Sequence, residues 1–597
     1  MSRPEFTFEM GLVFAVVSLV VLLFLSDRLR VDVVALLAML SLPFLGLIPP
    51  RETFQGLASN AVVSIIAVII MGRGLDHTGI VSRSVRPIMR LAGGRKRRIV
   101  LIFSVAVAVI SSFMQNIGAA ALFLPAIQRL SRQTAIPVSQ ILMPIGFAAI
   151  LGGTVTLVGS SPLIMLNDLL QPYDLAPFNL FSVTPAGLLL MSGGILFFMI
   201  FMERVLPGGK DVEMVENVDP LRFYPELNTL REIIYPAEAG HDLQVMDLCD
   251  GYNIHLVALR EREDSGVLMP PDREMHIPPG AVCAAYGSEE KFEELAHDLG
   301  FTVGEPNLLA RELTSDLAGV AEGVISPHSA FLGKSMARVR FRHSFRLAPL
   351  ALSRGEEVFY TGLGRVVLRP GDTLLMHGAW ESFKAMRPRR DMLFVQSLDF
   401  EVLHPRKALA AVSCFAMATL LVIFSSLPLS VSLMTGALGM VLTGVLTMEE
   451  AYRGVDWRTV FLLAGLIPLG MAMQRTGAAG WMASSLLGLT GQPPQWMFFF
   501  LLGLISTVLT LVVSNVGATV LLVPLAVDMA SGLGMDPRLA ALVVALAASN
   551  SFMLPTHQVN ALYMGPGGYR AVDFMKAGAP LSLAFLALLT LYAVAVS

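Results

Sequence analysis

Two short polar stretches interrupt apolar segments of this chain and carry side chains that can bind ions. The first is Gln115-Asn116-Ile117-Gly118, and the second is Ser514-Asn515-Val516-Gly517. Their amide and hydroxyl oxygens can coordinate a hard monovalent cation, and their N–H groups can donate hydrogen bonds to an anion. The helix that follows each stretch presents free backbone N–H groups, which also attract anions. The alternative is a helix–helix contact in which Asn and Gly satisfy each other.

Two further polar breaks follow, one after each stretch. They lie at residues 152–162 and 549–560, where Gly, Ser, Thr and Pro interrupt an apolar segment. Such breaks expose backbone carbonyl oxygens as additional cation ligands. His557 lies in the second break and titrates near neutral pH, so it fits either proton coupling or an ordinary hydrogen bond.

The composition indicates that these stretches lie in a membrane. Of the 597 residues, 54% are hydrophobic and only 15% are charged, whereas a soluble protein usually carries about 25% charged residues. The first apolar run, residues 10–25, has no small-residue cleavage site after it and predicts a membrane helix. The net charge of −3 gives no reason to expect a nucleic-acid partner, and the three cysteines share no metal-ligand spacing.

The apolar segments occur in two similar series on either side of a charged segment. Asn116 and Pro125 match Asn515 and Pro524 when the chain is shifted by 399 residues, and Gly72 matches Gly470 at 398. The segments lie at about 8–26, 31–48, 57–75, 98–131, 140–170 and 185–203, and again at about 406–425, 430–447, 458–474, 495–530, 538–570 and 577–596. A repeat with matched polar breaks is typical of a secondary transporter.

The distribution of Lys and Arg predicts the topology, because positively charged loops stay in the cytoplasm. Basic residues cluster at 27–30, at 83–98 and from 204 onward. These positions fit if 98–131 is a re-entrant hairpin with Gln115 and Asn116 at its tip. We therefore predict an all-α polytopic protein of the cell inner (plasma) membrane, an inverted repeat of five spans plus one re-entrant hairpin in each half.

The charged segment, residues 207–404, is predicted to be cytoplasmic and to contain two small α+β modules. Pro278-Pro279-Gly280-Ala281 matches Arg369-Pro370-Gly371-Asp372 at an offset of 91 residues. The second copy, with residues 327–335, 350–355 and 369–375, resembles the TrkA-C type domain of potassium-transport regulators. This resemblance implies a small-molecule or nucleotide regulator, although Ala281 departs from the pattern in the first copy. The predicted domains are 1–206 (hairpin 98–131), 207–310, 311–404 and 405–597 (hairpin 495–530).

A hairpin followed by a broken span, occurring twice, resembles the divalent anion/sodium symporter superfamily, which carries citrate, dicarboxylates or sulfate. The strongest match lies at residues 514–524 and 552–555. The resemblance implies Na⁺-coupled import by an elevator mechanism, in a homodimer whose scaffold contains residues 10–47 and 408–445.

The resemblance, together with the second polar break for Asn550, Thr556 and His557, gives candidate site residues in two overlapping groups. The expected substrate-binding residues are Gln115, Asn116, Ser160, Ser161, Ser514, Asn515, Thr556 and His557. The expected Na⁺ ligands are Ser111, Asn116, Gly159, Thr510, Ser514, Asn515 and Asn550. The superfamily has threonines where this chain has Ile117 and Val516, and fewer hydroxyl donors favour a sulfate-like oxyanion over a dicarboxylate.

Three alternatives to a sulfate-type importer remain at this point. The first is a dicarboxylate or citrate symporter, and the second is a ligand-gated ion channel, suggested by the regulator-like modules. The third is a membrane-embedded receptor with a soluble output domain, which would bind a ligand without transporting it. An enzyme is not expected, because the sequence contains no nucleophile–base pair or metal cluster, and no cofactor is predicted beyond Na⁺ as the coupling ion.

Overall fold

The computed structural model describes most of the chain in two compact units. One unit comprises Met1–Met214 and His404–Ser597, and the other comprises Val215–Leu403. Most of the basic loop at 83–98 lies outside the described residues. The described residues are 6–26, 28–80, 95–134, 136–207, 221, 224–238, 243–262, 265–310, 313, 317–355, 357–386, 391–394, 405–490 and 493–597.

The first series of apolar segments forms helices with a short break at each predicted polar stretch. These helices are α1 (Phe8–Ser26), α2 (Val31–Phe44), α3 (Asn60–His77), α4 (Lys96–Ser111), α5 (Asn116–Thr134), α6 (Leu142–Gly152), α7 (Ser161–Leu170) and α8 (Thr184–Val205). The predicted hairpin 98–131 thus consists of α4 and α5, joined at Gln115.

The charged segment forms short helices and two antiparallel sheets. Its helices are α9 (Val245–Gly251), α10 (Glu289–Leu299), α11 (Met336–Val339), α12 (Phe341–Phe345) and α13 (Trp380–Met386). Its strands are β1 (Thr229–Ile234), β2 (His255–Arg260), β3 (Val282–Gly287), β4 (Thr302–Gly304), β5 (Ala318–Ile325), β6 (Leu347–Arg354), β7 (Glu357–Phe359), β8 (Thr373–Ala379) and β9 (Met392–Phe394).

The second apolar series repeats the pattern of long helix, break and long helix. Its members are α14 (Ala408–Phe424), α15 (Leu429–Leu442), α16 (Met448–Gly454), α17 (Trp457–Arg475), α18 (Ala478–Thr490), α19 (Gln495–Val512), α20 (Asn515–Leu533), α21 (Pro537–Ala547), α22 (Gln558–Met564) and α23 (Ala571–Val596). The predicted hairpin 495–530 corresponds to α19 and α20.

Seven helices within the described residues are long and apolar enough to cross a membrane, judged by length and composition. This result agrees with the predicted multi-pass membrane protein. The seven are α1, α3, α8, α17, α19, α20 and α23.

Helices from the two halves pack against each other at close range. Helix α17 packs on α2, and α15 packs on α3. A side chain at Gly465 would place its Cβ 2.6 Å from the backbone of Ala35, so only glycine permits this approach. Small residues at helix contacts are typical of membrane proteins, where close van der Waals packing replaces hydrophobic burial as the driving force.

The two sheets of the other unit share a strand order. The first sheet runs β2-β3-β1-β4, and the second runs β7-β6-β8-β5-β9. We call the part with the first sheet the first module and the part with the second sheet the second module. Val257 and Tyr286 of the first module belong to one buried apolar cluster with Leu350 and Leu375 of the second, so the sheets pack together. The resemblance of these modules to TrkA-C domains remains a prediction.

The aspartate of the Pro-Gly-Asp pattern has a structural role in the second module. Both Asp372 oxygens accept hydrogen bonds from the Arg354 guanidinium, each at 2.8 Å, and the Arg369 backbone N–H also donates to this carboxylate. Asp372 is only 1% exposed. A buried carboxylate needs such partners, and this ion pair supplies them.

Candidate functional site

The two polar stretches meet at one cavity of about 510 Å³, which we call the tip cavity. It is formed by the starts of α5 and α20 together with the two broken segments after α6 and α21. Most residues predicted for substrate or Na⁺ line it: Gln115, Asn116, Gly159, Ser160, Ser161, Thr510, Ser514, Asn515, Thr556 and His557. The structure brings them together, and their binding roles remain predictions.

The first stretch is fixed by contacts with α6 and the residue that follows it. The Ser111 hydroxyl lies 2.8 Å from Asn116 Oδ1 and 2.7 Å from the Ala149 carbonyl oxygen. A Cβ at Gly153 would lie 2.4 Å from Asn116 Oδ1, so the amide lies directly on the glycine backbone. Gly153 therefore leaves the space that holds the Asn116 side chain at the cavity wall.

The second stretch has the same backbone plan and fewer polar contacts. The Ser514 Oγ accepts a hydrogen bond from the Gly517 N–H at 3.1 Å and caps α20. The Thr510 hydroxyl corresponds to Ser111 and is buried without a hydrogen-bond partner among the described residues. Since buried polar groups are normally paired, an orphan hydroxyl at a cavity wall indicates a place for a ligand.

The broken segments supply more unpaired oxygens. Ser160 Oγ and Ser551 Oγ line the tip cavity and, within the described chain, have no hydrogen-bond partner. Thr156 donates to the Ser112 carbonyl and ties the first broken segment to the loop after α4. Oxygen atoms without fixed charge are ligands that Na⁺ accepts.

Two predicted Na⁺ ligands lie behind the cavity wall. Ser111 and Asn550 are buried and do not line the tip cavity. Asn550 Nδ2 donates to Thr507 Oγ1 at 3.1 Å, whereas Asn550 Oδ1 is unpaired in the described part of the chain. Asn550 thus joins the second broken segment to α19 one turn before Thr510, with one oxygen still available.

Five helices of at least ten residues begin at the tip cavity. They are α2, α5, α7, α17 and α20, and first-turn residues of each line the wall. In α5, the first intrahelical bond runs from the Ala119 N–H to the Gln115 carbonyl, so the N–H groups of residues 116–118 precede it. Free N–H groups and the positive ends of helix dipoles favour a bound anion.

The predicted site residues omit four polar residues of the cavity, Arg458, Thr459, Ser551 and Gln558. Ser551 and Gln558 lie within the predicted break at 549–560, whereas Arg458 and Thr459 lie outside every predicted polar stretch. Arg458 lies at the start of α17, and within the described chain its guanidinium has no ion-pair partner. None of the described residues that line the cavity is acidic, so Arg458 gives it a net positive charge. The repeat could have indicated Arg458, because the matching position in the first half, at an offset of 398 residues, is also polar and is occupied by Asn60.

His557 has a structural contact and also lines the cavity. Its Nδ1 accepts a hydrogen bond from the Val559 N–H at 3.2 Å and caps the short helix α22. This contact fixes the tautomer with the proton on Nε2 when the ring is neutral. Nε2 is therefore the atom through which His557 would perform either predicted role, proton coupling or an ordinary hydrogen bond.

A second cavity of about 560 Å³ lies further along α17. Leu462 lines the tip cavity and Ile467 lines the second cavity, so the two are separated by about 7 Å along the helix. At the second cavity, Asp168 Oδ2 accepts a hydrogen bond from the Ala61 N–H at 2.8 Å. Asp168 follows the first broken segment, so this bond joins that segment to α3.

Comparison with known proteins assigns the chain to a family. The family model described as "Citrate transporter" matches residues 21–547. The chain belongs to this family. The resemblance to the divalent anion/sodium symporter superfamily is thereby confirmed at the level of the family, and the protein is a multi-pass membrane transporter.

Several curated proteins are similar over nearly the whole chain. An uncharacterized transporter of Synechocystis is 32% identical over 96% of this chain and 95% of its own length. An uncharacterized transporter of Escherichia coli is 28% identical, covering 97% of this chain and 98% of its own. Sodium/sulfate cotransporter 2 of Chlamydomonas reinhardtii is 22% identical over 54% of this chain and 38% of its own length. These relatives are named as transporters, in agreement with the expectation that the chain is not an enzyme.

The two tip asparagines provide the first test of the site. We predict that Asn116→Ala and Asn515→Ala each abolish uptake while the protein still folds. Each variant loses a hydrogen bond to an ion, worth roughly 1.5–3 kcal/mol, which lowers affinity by about tenfold or more. Uptake by reconstituted protein measures the effect, and monodisperse elution in detergent checks folding. The exposed Asn179→Ala serves as the control, and wild-type flux in both tip variants would remove the tips from the mechanism.

Proposed function

We propose that the protein imports a small divalent anion together with Na⁺ and that the substrate is a sulfate-like oxyanion. A dicarboxylate or citrate is the alternative substrate class. The observation that carries this proposal is the charge of the tip cavity. Five helix starts and Arg458 surround it, and no acidic residue is found among its described lining residues. Such a site favours an anion over an isolated cation.

The same charge balance supports cation coupling. A dianion next to Arg458 leaves one negative charge without compensation at the tip cavity. An uncompensated charge in a low-dielectric environment is costly, and a co-bound Na⁺ offsets it. The anion and the cation therefore bind more strongly together than separately.

The unpaired oxygens of the second half form the best candidate for the Na⁺ site. Thr510 Oγ1, Asn550 Oδ1 and Ser551 Oγ are buried and have no partner within the described residues. Oxygen ligands without charge fit a hard monovalent cation. In the first half, the Ser111 hydroxyl already contacts Asn116 and the Ala149 carbonyl, so a cation there has to compete with these contacts.

The substrate proposal draws on two opposing indications. Ile117 and Val516 remove hydroxyl donors that a dicarboxylate would use, and a relative is named as a sodium/sulfate cotransporter. The family is described as that of a citrate transporter, and a cavity of about 510 Å³ also has room for citrate. Competition of sulfate, citrate and succinate for Na⁺-dependent uptake decides between them.

The mechanism we propose is an elevator in a homodimer. Residues 10–47 and 408–445 form the scaffold, and α3 and α17 pack on its helices α15 and α2. The hairpins and broken segments form the moving part. The protein lies in the cell inner (plasma) membrane with residues 207–404 in the cytoplasm, as the positively charged loops indicate.

Uptake into proteoliposomes tests the proposed function as a whole. We expect accumulation of labelled sulfate or citrate that depends on an inward Na⁺ gradient and stops when the gradient is collapsed. Flux of every tested anion without Na⁺ or proton dependence would contradict coupled transport. Single-channel currents in planar bilayers would instead favour the ion channel.

Arg458 is predicted to bind the anion directly. Arg458→Gln should raise the KM for the anion by about tenfold or more, because a hydrogen bond to a charged group is worth roughly 1.5–3 kcal/mol. Concentration-dependent uptake at saturating Na⁺ measures this KM. The matched control is Arg453→Gln, an exposed arginine on α16 that does not line the cavity. An equal KM in the two variants would exclude Arg458 from the substrate site.

The Thr510 hydroxyl allows Na⁺ binding to be tested in a variant whose folding should be unchanged. Thr510→Val removes a hydroxyl that has no protein partner within the described residues, so the variant should fold with unchanged thermal stability. We expect its apparent Na⁺ affinity to fall by about tenfold, the effect of one lost ligand of roughly 1.5 kcal/mol.

The control for Thr510 is Thr590→Val on α23. The Thr590 hydroxyl is also buried and unpaired among described residues, but it does not line the tip cavity. Its removal should leave the Na⁺ dependence unchanged. An unaltered Na⁺ dependence in Thr510→Val would place the cation elsewhere.

Asp168 is predicted to stabilise the observed position of α7 against α3. Its bond to the Ala61 N–H joins the broken segment to α3. Asp168→Ala removes an acceptor worth roughly 1.5–3 kcal/mol, so the population of this conformation should fall by about tenfold relative to others.

Distances between spin labels at Leu57 and Ala176, both exposed, report this change in a cysteine-free protein. The control is Asp536→Ala, which removes the Asp536 cap from its own helix α21 and should not alter the distance distribution. An unchanged distribution in Asp168→Ala would mean that this bond does not hold the conformation.

A further inference from the structure

A cavity of about 230 Å³ lies between the two modules of the unit formed by Val215–Leu403. The first module contributes Cys249, His255 and Arg273, and the second contributes Phe341, Arg342 and Tyr360. We call it the inter-module cavity. Because both modules form its wall, a molecule bound there contacts both at once.

Arg342 is held in position across this boundary. Its Nη1 donates to the Leu256 carbonyl at 2.7 Å and to the Pro271 carbonyl at 3.0 Å, both in the first module. A guanidinium has five N–H donors, so three remain, and the described residues offer them no acceptor. These donors belong to a half-buried side chain that lines the cavity. They are available to an anionic group.

The other charges around the cavity leave Arg342 as its dominant cation. Arg273 forms an ion pair with Asp250 at 2.5 Å. The remaining charged lining residues, Arg340, His343, Asp272 and Glu274, are exposed. Water and salt screen exposed charges, whereas a desolvated cation is screened much less. An anion placed in the cavity therefore interacts mainly with Arg342.

The buried groups near Arg342 support this assignment. Burial lowers the pKa of the Arg342 guanidinium, which means that water stabilises its charge less than the charge of an exposed arginine. Burial also lowers the pKa of His255 to about 3, so this ring is neutral at pH 7 and adds no competing charge. Burial raises the pKa of the Cys249 thiol, which therefore stays protonated and does not neutralise the arginine.

The rest of the wall is apolar and fits an organic group. Met336, Phe341 and Leu363 line the cavity next to the arginine. An apolar cavity of about 150 Å³ already accommodates a benzene ring, so the inter-module cavity has room for a ring and an attached anionic group. We propose that this cavity binds a small aromatic anion, with its carboxylate or phosphate on Arg342, and that the ligand joins the two modules.

The proposal is tested on the full-length protein by hydrogen–deuterium exchange and mass spectrometry. The probes are benzoate, phenyl phosphate and sulfate at millimolar concentrations, and the reporting segments are residues 244–258 and 335–345. We expect benzoate or phenyl phosphate to slow exchange severalfold and saturably in both segments, and the comparison of the two distinguishes a carboxylate from a phosphate ligand. The readout is local, so binding at the tip cavity neither mimics nor masks it.

Variants locate the ligand within the cavity. Arg342→Gln removes the anion contact, and Ala337→Trp fills the cavity from a lining residue that is exposed. Both should abolish the protection. Arg338→Gln, an exposed arginine outside the lining, should retain it. If Arg342→Gln alters hydrogen–deuterium exchange in the modules without ligand, the result for Ala337→Trp decides whether the anion binds in the cavity.

Three results would overturn the proposal. The first is no protection by either aromatic anion. The second is equal protection by sulfate, which would mean that the site recognises only an inorganic anion. The third is full protection by the aromatic anions in Ala337→Trp, which would place them outside the cavity.

Discussion

A helix that stops within a membrane leaves backbone groups without partners, and the membrane unit depends on how these groups are satisfied. Lipid offers no hydrogen bonds, so such breaks persist only where protein or a cavity surrounds them. Here Thr156 donates to the Ser112 carbonyl, and the Asn116 amide lies against Gly153. These contacts keep α5 and α7 starting at the same place. The tip cavity exists because the broken helices satisfy each other.

The two halves use the same backbone plan for different side-chain chemistry. Ser111 contacts two acceptors, whereas the corresponding Thr510 has no partner within the described residues. Asn60 bonds to Ser430 at the second cavity, whereas the corresponding Arg458 lines the tip cavity. The repeat thus gives both halves the same backbone frame, and a few substitutions give the second half more of the unpaired oxygens and the positive charge. That asymmetry suits a site that holds an anion and a cation side by side.

Charge compensation also distinguishes two arginines in the other unit. The half-buried Arg354 and the buried Asp372 neutralise each other in an ion pair that stabilises the second module. Arg342 has only carbonyl oxygens as partners among the described residues, and carbonyls do not neutralise its charge. The difference between these two arginines lies in their partners, and it separates a structural ion pair from a candidate binding site.

The sequence by itself determined the membrane character, the helices around the polar breaks and the family. Hydrophobic runs and the matched Asn116 and Asn515 are local signals, and local signals place helix ends well: the predicted hairpin 98–131 begins and ends within three residues of α4 and α5. Only the tertiary structure decided which groups meet. In the sequence, Arg458 is an arginine at the start of an apolar helix and nothing more. It lies near the tips only because α17 packs on α2. Ser111 and Thr510 each precede the asparagine of their tip by five residues. Ser111 nevertheless has a second partner, because Ala149 on α6 lies next to it. Periodicity encodes the faces of a helix, whereas the partner across a cavity depends on contacts between residues hundreds of positions apart.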